Sequence, residues 1–525
     1  MSSKIIVQFH GVILLSLLFL GAAKSTEVSG YVYLDENKNL QRDAGEPGIA
    51  GVLVSNQLLV VETDSRGHYS IPLETGETLF ITKPAGYTLP LSSRNLPQFY
   101  YHHSPKGSPS FEFNGISPTG DLPREINFPL YPGSPENNFE IIVFGDPQPR
   151  DLQEISYIRD DVVTELLGST ASGVIVLGDI MYNDLSHYDA YTEVISKMGI
   201  PSYHVPGNHD MNFDAPSDSN SLQTYRRWFG PTYYGFELGK VHFIVLDDVE
   251  YQGRNEEGQT VYIGNLGEKQ LGWLNNYISK IPKDRLLVFN MHIPFYSFAG
   301  EHSSIRVEDR AEFFKILENR RHLLALAGHM HTIEHQFLGP EQGWLGKASF
   351  QQITCGAISG SWWSGPPDTR GIPVADQRDG APNGYFIFSF EGHNFKERYK
   401  PAGFSPDYQL RISQPAGSFT RDSLKDTLII VNVFDGNEKS VVEYQIDEGP
   451  VQQMTREVRR DPFFEQLHQK NQEYYRDWIR PVKSNHIWTA PLPADLTAGI
   501  HKITVSTVNP YGEIYRTYRL FEVVE

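Results

Sequence analysis

The sequence predicts a multidomain chain, with a central α/β domain set between two β-sandwiches. Three observations predict it. Six largely apolar runs between residues 140 and 331 each end in a polar tip and are separated by amphipathic stretches. Runs of that kind suit strands buried on both faces of a sheet. Short β-branched and aromatic runs, broken by turn residues, fill roughly residues 27–132 and again 400–525, the pattern of antiparallel sandwiches. The 525 residues suffice for two to four domains.

The chain opens with the order of an export signal. Lys4 precedes a mostly apolar stretch, Ile5 to Leu20, and Gly21-Ala22-Ala23 offers small residues for cleavage after Ala23. As a membrane anchor the stretch is short, and Gln8 and His10 interrupt it. Residues 1–23 are therefore expected to be a signal peptide. The mature protein is expected to be periplasmic or extracellular, with no integral membrane segment. Cys355 is the only cysteine, which excludes a disulfide scaffold and a Cys-anchored lipoprotein. The formal net charge of -19 argues against a general binder of nucleic acid or anionic membrane, whose affinity needs clustered Lys and Arg. A nucleotide substrate stays open, and so does the oligomeric state.

In the first module (27–132), Val28 to Tyr33 alternates like a strand, and Gly51–Val54 and Leu58–Val61 follow with turns between. The module resembles the prealbumin-like repeats of bacterial surface proteins. Asp35, Asn37, Asn39, Asp43 and Glu46 fall at positions 1, 3, 5, 9 and 12 of a twelve-residue loop, with Gln41 supplying its carbonyl. That spacing suits a structural calcium ion. Leu40 stands where the helix-loop-helix calcium motif has Gly. The competing reading is a solvated Asp/Asn-rich turn.

In the central domain (137–397) the six tips are Gly145-Asp146-Pro147-Gln148, Gly178-Asp179, Gly207-Asn208-His209-Asp210, Asp247-Asp248, Met291-His292 and Gly328-His329-Met330-His331. Asp151 to Leu167 and Glu268 to Ile278 read as helices. Ligand sites of open α/β sheets form at the carboxyl ends of the strands. Asp146, Gln148, Asp179, Asn208, His292, His329 and His331 can therefore meet there. Carboxylate, amide oxygen and imidazole together suit two divalent or trivalent transition ions, with Mn, Fe, Zn and Ni as candidates.

In that order, Gly-Asp-Pro-Gln, Gly-Asp-Ile-Met-Tyr-Asn, Gly-Asn-His-Asp, Met-His and Gly-His-Met-His resemble the calcineurin-like metallophosphoesterase family, and the flanking modules look like those of its exported bacterial members. The resemblance implies one metal on Asp146, Gln148, Asp179 and His331 and a second on Asp179, Asn208, His292 and His329, with Asp179 bridging. It implies hydrolysis of a phosphate mono- or diester by a metal-bridging hydroxide. His209 is then the general acid and Asp210 the support of its ring. Gln148 departs from the pattern, because many members carry His there. Tyr182 has the spacing of the metal-bound tyrosinate of purple acid phosphatases, but Gln148 is not what that branch carries. The expectation for Tyr182 is a residue that packs or lines the pocket.

Tyr182, Tyr296, Trp362, Trp363 and the charged loop Asp376 to Gly380 are candidates for the substrate rim, where an aromatic face would stack a sugar or a base. His187, His204, His242, His302, His322 and His335 lack a ligand pattern and read as packed or surface residues. In the last module (400–525), Asp435-Gly436 between Leu428–Val433 and Ser440–Tyr444 is a hairpin signal. A polar helical stretch, Pro462 to Trp478, interrupts this module. The substrate is expected to be a small-molecule or polymer-linked phosphoester. The rival reading is a non-enzymatic surface or carbohydrate-binding protein with a lapsed catalytic domain. The competent residue at every ligand position weighs against it.

Overall fold

The computed structural model describes residues 26–134 and 136–525. The expected signal peptide, 1–23, lies outside the described residues. Among those described, no helix is long and apolar enough to cross a membrane.

Two four-stranded sheets form the first module. One orders His68–Leu73, Thr26–Leu34, Phe128–Pro132 and Tyr87–Thr88; the other orders Val60–Glu62, Leu53–Ser55, Thr78–Ile81 and Tyr100–His102. Alternation along Thr26–Leu34 turns Val28 and Val32 into the core. The expected calcium loop closes on Asp43, whose Oδ2 accepts the side-chain amides of Asn37 and Asn39, each at 2.8 Å. Asp35 is buried and accepts the backbone N–H groups of Asn39 and Leu40. Glu46 accepts those of Glu36 and Asp43, and Gln41 donates its own to Asn39.

The central domain stacks two sheets. The first orders Ser202–His204, Gly173–Val176, Asn138–Phe144, Gly384–Glu391 and Asn394–Pro401, the first three being parallel. The second orders Tyr234–Leu238, Val241–Val245, Leu286–Asn290, Leu323–Ala327, Phe350–Thr354 and Glu334–Leu338, with its four inner strands parallel. Ile141, Val143, Ile175, Phe243, Val245 and Val288 fill the space between the sheets. On the outer face of the first sheet, Ile142, Phe144, Val174 and Val176 meet Ile155, Ile158 and Ile195 of the covering helices. Both faces are thus buried, which is why these strands read as continuous apolar runs. The parallel strands bring their carboxyl ends, and so the tips, to one edge. The expected helix 151–167 is three pieces: α over Leu152–Tyr157, π over Ile158–Val162 and 3-10 over Val163–Leu166.

The last module is a sandwich of a four-stranded and a five-stranded sheet. Here the hairpin expected at Asp435-Gly436 is corrected. Leu428–Val433 pairs with Leu410–Gln414 and Ser484–Pro491, whereas Val441–Ile446 belongs to the other sheet. The turn crosses between sheets, and Asp435 accepts from His335 of the central domain at 2.6 Å. The module docks through buried polar groups. His486 Nε2 lies 3.0 Å from Asp379 Oδ2, both fully buried. That same oxygen accepts the Ile333 N–H, two residues past His331. Asp376 pairs with Arg411 at 3.3 Å. The loop 376–380, expected at the substrate rim, is instead the joint between the two domains, with Asp376 and Asp379 buried.

Candidate metal centre

Five of the seven expected ligands hold a left-handed backbone: Asp146 (φ 37°), Gln148 (42°), Asp179 (48°), His329 (70°) and His331 (51°). A non-glycine residue there costs about 1–3 kcal/mol, and such residues cluster where function fixes a side chain's aim. Two preceding glycines allow the approach of these turns. A Cβ on Gly207 would sit 2.1 Å from the Asp179 nitrogen, and one on Gly178 would sit 2.5 Å from His292 Nδ1.

The side chains converge in two halves. In one, His292 Nε2 lies 3.0 Å from Asn208 Oδ1, 3.1 Å from His329 Nδ1 and 3.3 Å from Asp179 Oδ1. In the other, His331 Nε2 lies 2.9 Å from Gln148 Oε1 and 3.8 Å from Asp146 Oδ1. Asp179 reaches both, because its Oδ2 accepts Gln148 Nε2 at 2.9 Å.

The far nitrogens of the three imidazoles decide what these near contacts are. His292 Nδ1 faces the Leu177 carbonyl (2.8 Å), His329 Nε2 that of Ser304 (2.8 Å), and His331 Nδ1 that of Gly360 (2.5 Å). A carbonyl only accepts, so each far nitrogen carries the hydrogen and each near nitrogen presents a lone pair. With the rings neutral, lone pairs of imidazole, amide and carboxylate then crowd together, relieved only by the hydrogen that the Gln148 amide gives Asp179. This donor set fits transition cations, and the carbonyls are the outer partners that fix the imidazole tautomers of a metal site. Asp248 adds another, its carboxylate accepting the backbone N–H groups of His292 and Ile293.

The charges agree. Burial pushes Asp146 well above the usual carboxylate range. Burial also acts on Asp179, but His292 and His209 outweigh it and hold that carboxyl well below its ordinary value. Burial pulls His292 down, yet Asp179 and Asp146 raise it to about 10, so the pocket seeks positive charge. Burial lowers His329 and His331 to about 3, which keeps both as neutral donors.

Around the centre, two expectations are corrected. Asp210 does not hold the His209 ring. Its carboxylate is buried and accepts the N–H groups of Gly207 (2.9 Å) and Ile180 (3.0 Å) and the Tyr188 hydroxyl (3.0 Å). It ties the Asn208 turn to the Asp179 turn, while burial, then Asp179, push it up to about 7. The ring of His209 is held by Asn183, whose Oδ1 accepts from Nδ1 at 2.5 Å. Nε2 then points inward, 4.0 Å from Asp179 Oδ2. Burial lowers the His209 pKa, with Asp179 opposing. Asp210→Ala is accordingly expected to destabilise the metal-free protein by about 3 kcal/mol or more, since it strands two N–H groups and a hydroxyl. Urea unfolding checks this. Lost activity with unchanged stability would return Asp210 to the ring-holding role.

The second correction concerns the rim. Trp363 is buried and donates to the Pro147 carbonyl at 2.9 Å, so it packs beneath the first tip. Tyr296 leans on the hydrophobic core, its backbone N–H and carbonyl both paired with the Gln352 amide. Trp362 stacks on His331 at 3.8 Å. Tyr182 stacks on His209 at 4.8 Å and carries the Arg150 guanidinium 4.3 Å from its ring centroid. Arg150 also lies 5.3 Å from the ring of Trp478, in the last module. Sequence reasoning missed Asn183, Asp248, Arg150 and Trp478. Asn183 and Asp248 had local signals, the first as the next residue after Tyr182 in a named motif and the second in the Asp247-Asp248 tip.

Family models match the chain in three consecutive pieces: the N terminal of calcineurin-like phosphoesterase over residues 36–115, calcineurin-like phosphoesterase over 139–332, and its C terminal over 353–515. The chain belongs to the calcineurin-like phosphoesterase family. Calcineurin-like relatives include a probable glycerophosphodiester phosphodiesterase GpdQ of Arcobacter nitrofigilis, 28% identical over 166 residues, 30% of this chain and 56% of that protein. Cell division control protein 1 of Saccharomyces cerevisiae is 21% identical over 37% of this chain and 38% of its own. Purple acid phosphatase 21 of Arabidopsis thaliana is 24% identical over 30% and 37%. The chain thus spans about half or less of the length of the curated relatives it matches.

Proposed function

We propose that this calcineurin-like chain is an exported, metal-dependent phosphoric ester hydrolase acting on phosphate mono- or diesters. The observation that carries the reading is the convergence of buried imidazole, amide and carboxylate groups from both halves around Asp179. Two transition ions, when bound, supply Lewis acidity and a water acidic near neutral pH. Asp146, Gln148 and His331 would hold one, Asn208, His292 and His329 the other, and Asp179 both. Asn183 orients the His209 ring so that Nε2 delivers a proton to the departing oxygen. An anionic phosphoryl group beside that ring offsets the burial that lowers its pKa. Tyr182, stacked on the same ring, forms a wall of the leaving-group side. In the first module, the loop from Asp35 to Glu46 is proposed to hold a structural calcium. Export is inferred from Ile5 to Leu20 and the small residues after them.

The test is metal analysis joined to a screen of mono-, di- and pyrophosphate esters. Two transition ions and one calcium per chain are expected, with turnover that chelation abolishes. An iron-loaded sample is expected to lack a tyrosinate charge-transfer band, because Tyr182 is a wall and not a ligand. No turnover on any ester class with both sites filled would favour the non-enzymatic rival.

A further inference from the structure

We infer that the cleft beside His209 accepts a leaving group carrying its own negative charge, selected by Arg150 and Arg254. The inference rests on the proposed acid role of His209 and adds the substrate class. A cavity of about 550 Å³ is lined by Arg150, Arg254, Tyr182 and Asn183. Asn183 and Tyr182 are the residues that touch the His209 ring. The cavity therefore adjoins the ring whose Nε2 faces the metal centre, and a leaving group that extends past that ring enters it. Its size suits an organic group well beyond a methyl or ethyl.

The two arginines set the chemistry. Arg150 is half-buried, and its Nε is cut off from water with no acceptor among the described residues. The rings of Tyr182 and Trp478 lie close to its guanidinium, at 4.3 and 5.3 Å. Stacking occupies the faces of a guanidinium and leaves its N–H edge, the part that forks onto carboxylate or phosphate. Arg254 spends donors on the carbonyls of Phe213 and Gly258, so its charge stays uncompensated. Two carboxylates share the cavity. Asp184 is engaged by Ser186 and His187, and Glu112 stands exposed at the mouth. Neither pairs with an arginine among the described residues. Phe113 and Phe213 complete the wall with apolar surface.

The test compares two leaving groups of nearly equal shape and opposite charge state. The metal-loaded protein is given the phosphate and methyl phosphate esters of 4-hydroxybenzoate and of 4-hydroxybenzamide. The carboxylate esters are expected to show a kcat/KM about tenfold or more above the amides. That ratio is expected to shrink severalfold between about 10 mM and 0.5 M salt as the charges are screened. Arg150→Ala and Arg254→Ala are each expected to bring the ratio toward one, chiefly through KM. Arg254 is exposed, so its variant tests the idea even where Arg150→Ala fails to fold. A ratio at or below one in the native protein overturns the charge inference and leaves the phosphoesterase reading standing. Hydrolysis of none of the four esters, nor of any ester in the wider screen, overturns both.

Discussion

Asp179→Ala is expected to cut the transition-metal content from two ions per chain to one or none, and to slow phosphoester hydrolysis on the order of 10³-fold or more. The magnitude follows from the several kcal/mol that metal charge supplies to a phosphoryl transition state, at about 1.4 kcal/mol per tenfold. The position follows from geometry. Asp179 Oδ1 faces His292 at 3.3 Å and accepts the His209 N–H at 2.9 Å. Its Oδ2 accepts Gln148 at 2.9 Å. Asp146, the other carboxylate of the set, lies 3.8 Å from His331 Nε2 but meets His329 only at its backbone N–H. Removing Asp179 also removes the charge that draws a cation to His292. Metal analysis and initial rates on one aryl ester check the result. Two ions retained, with a rate within tenfold of native, would dismiss the bridging role.

Much of this centre was legible in the sequence because two periodicities cooperate. Strands buried on both faces are apolar throughout, so a polar residue at their carboxyl end stands out. Parallel pairing then carries those residues to one edge whatever lies between them. What the sequence hid was local aim and long-range company. Adjacency suggested that Asp210 serves His209, yet the Asp210 N–H bonds back to the Gly207 carbonyl at 3.1 Å and the turn folds its carboxylate underneath. Asn183 reaches the ring from another tip. The left-handed backbone at Asp146, Gln148, Asp179, His329 and His331 runs against local propensity and is imposed by tertiary packing. Trp478 comes to Arg150 from a different module, and periodicity carries no such information. The Asp435-Gly436 hairpin failed for a related reason. A turn signal fixes that the chain reverses, not which sheet receives it.

The contrast between leaving groups is where His209 is expected to matter. His209→Ala should slow esters of alkyl alcohols about 10²–10³-fold and aryl esters of nitrophenols far less. An alkoxide is too basic to depart without a proton, whereas a nitrophenolate departs without one. The ring is placed for that transfer by three contacts: Nδ1 on Asn183 at 2.5 Å, the Tyr182 stack at 4.8 Å, and the backbone N–H on Asp179 at 2.9 Å. If Asn183 acts only through this ring, Asn183→Leu should shift the same ratio in the same direction by a smaller factor, about tenfold. In the double variant its effect should vanish, because residues that act as one unit are not additive. Equal losses on alkyl and aryl esters would remove His209 from the acid role and leave it as a group that binds the phosphoryl oxygens. Additive losses in the double variant would give Asn183 a separate part in the cleft, alongside Arg150, instead of one exerted through the imidazole.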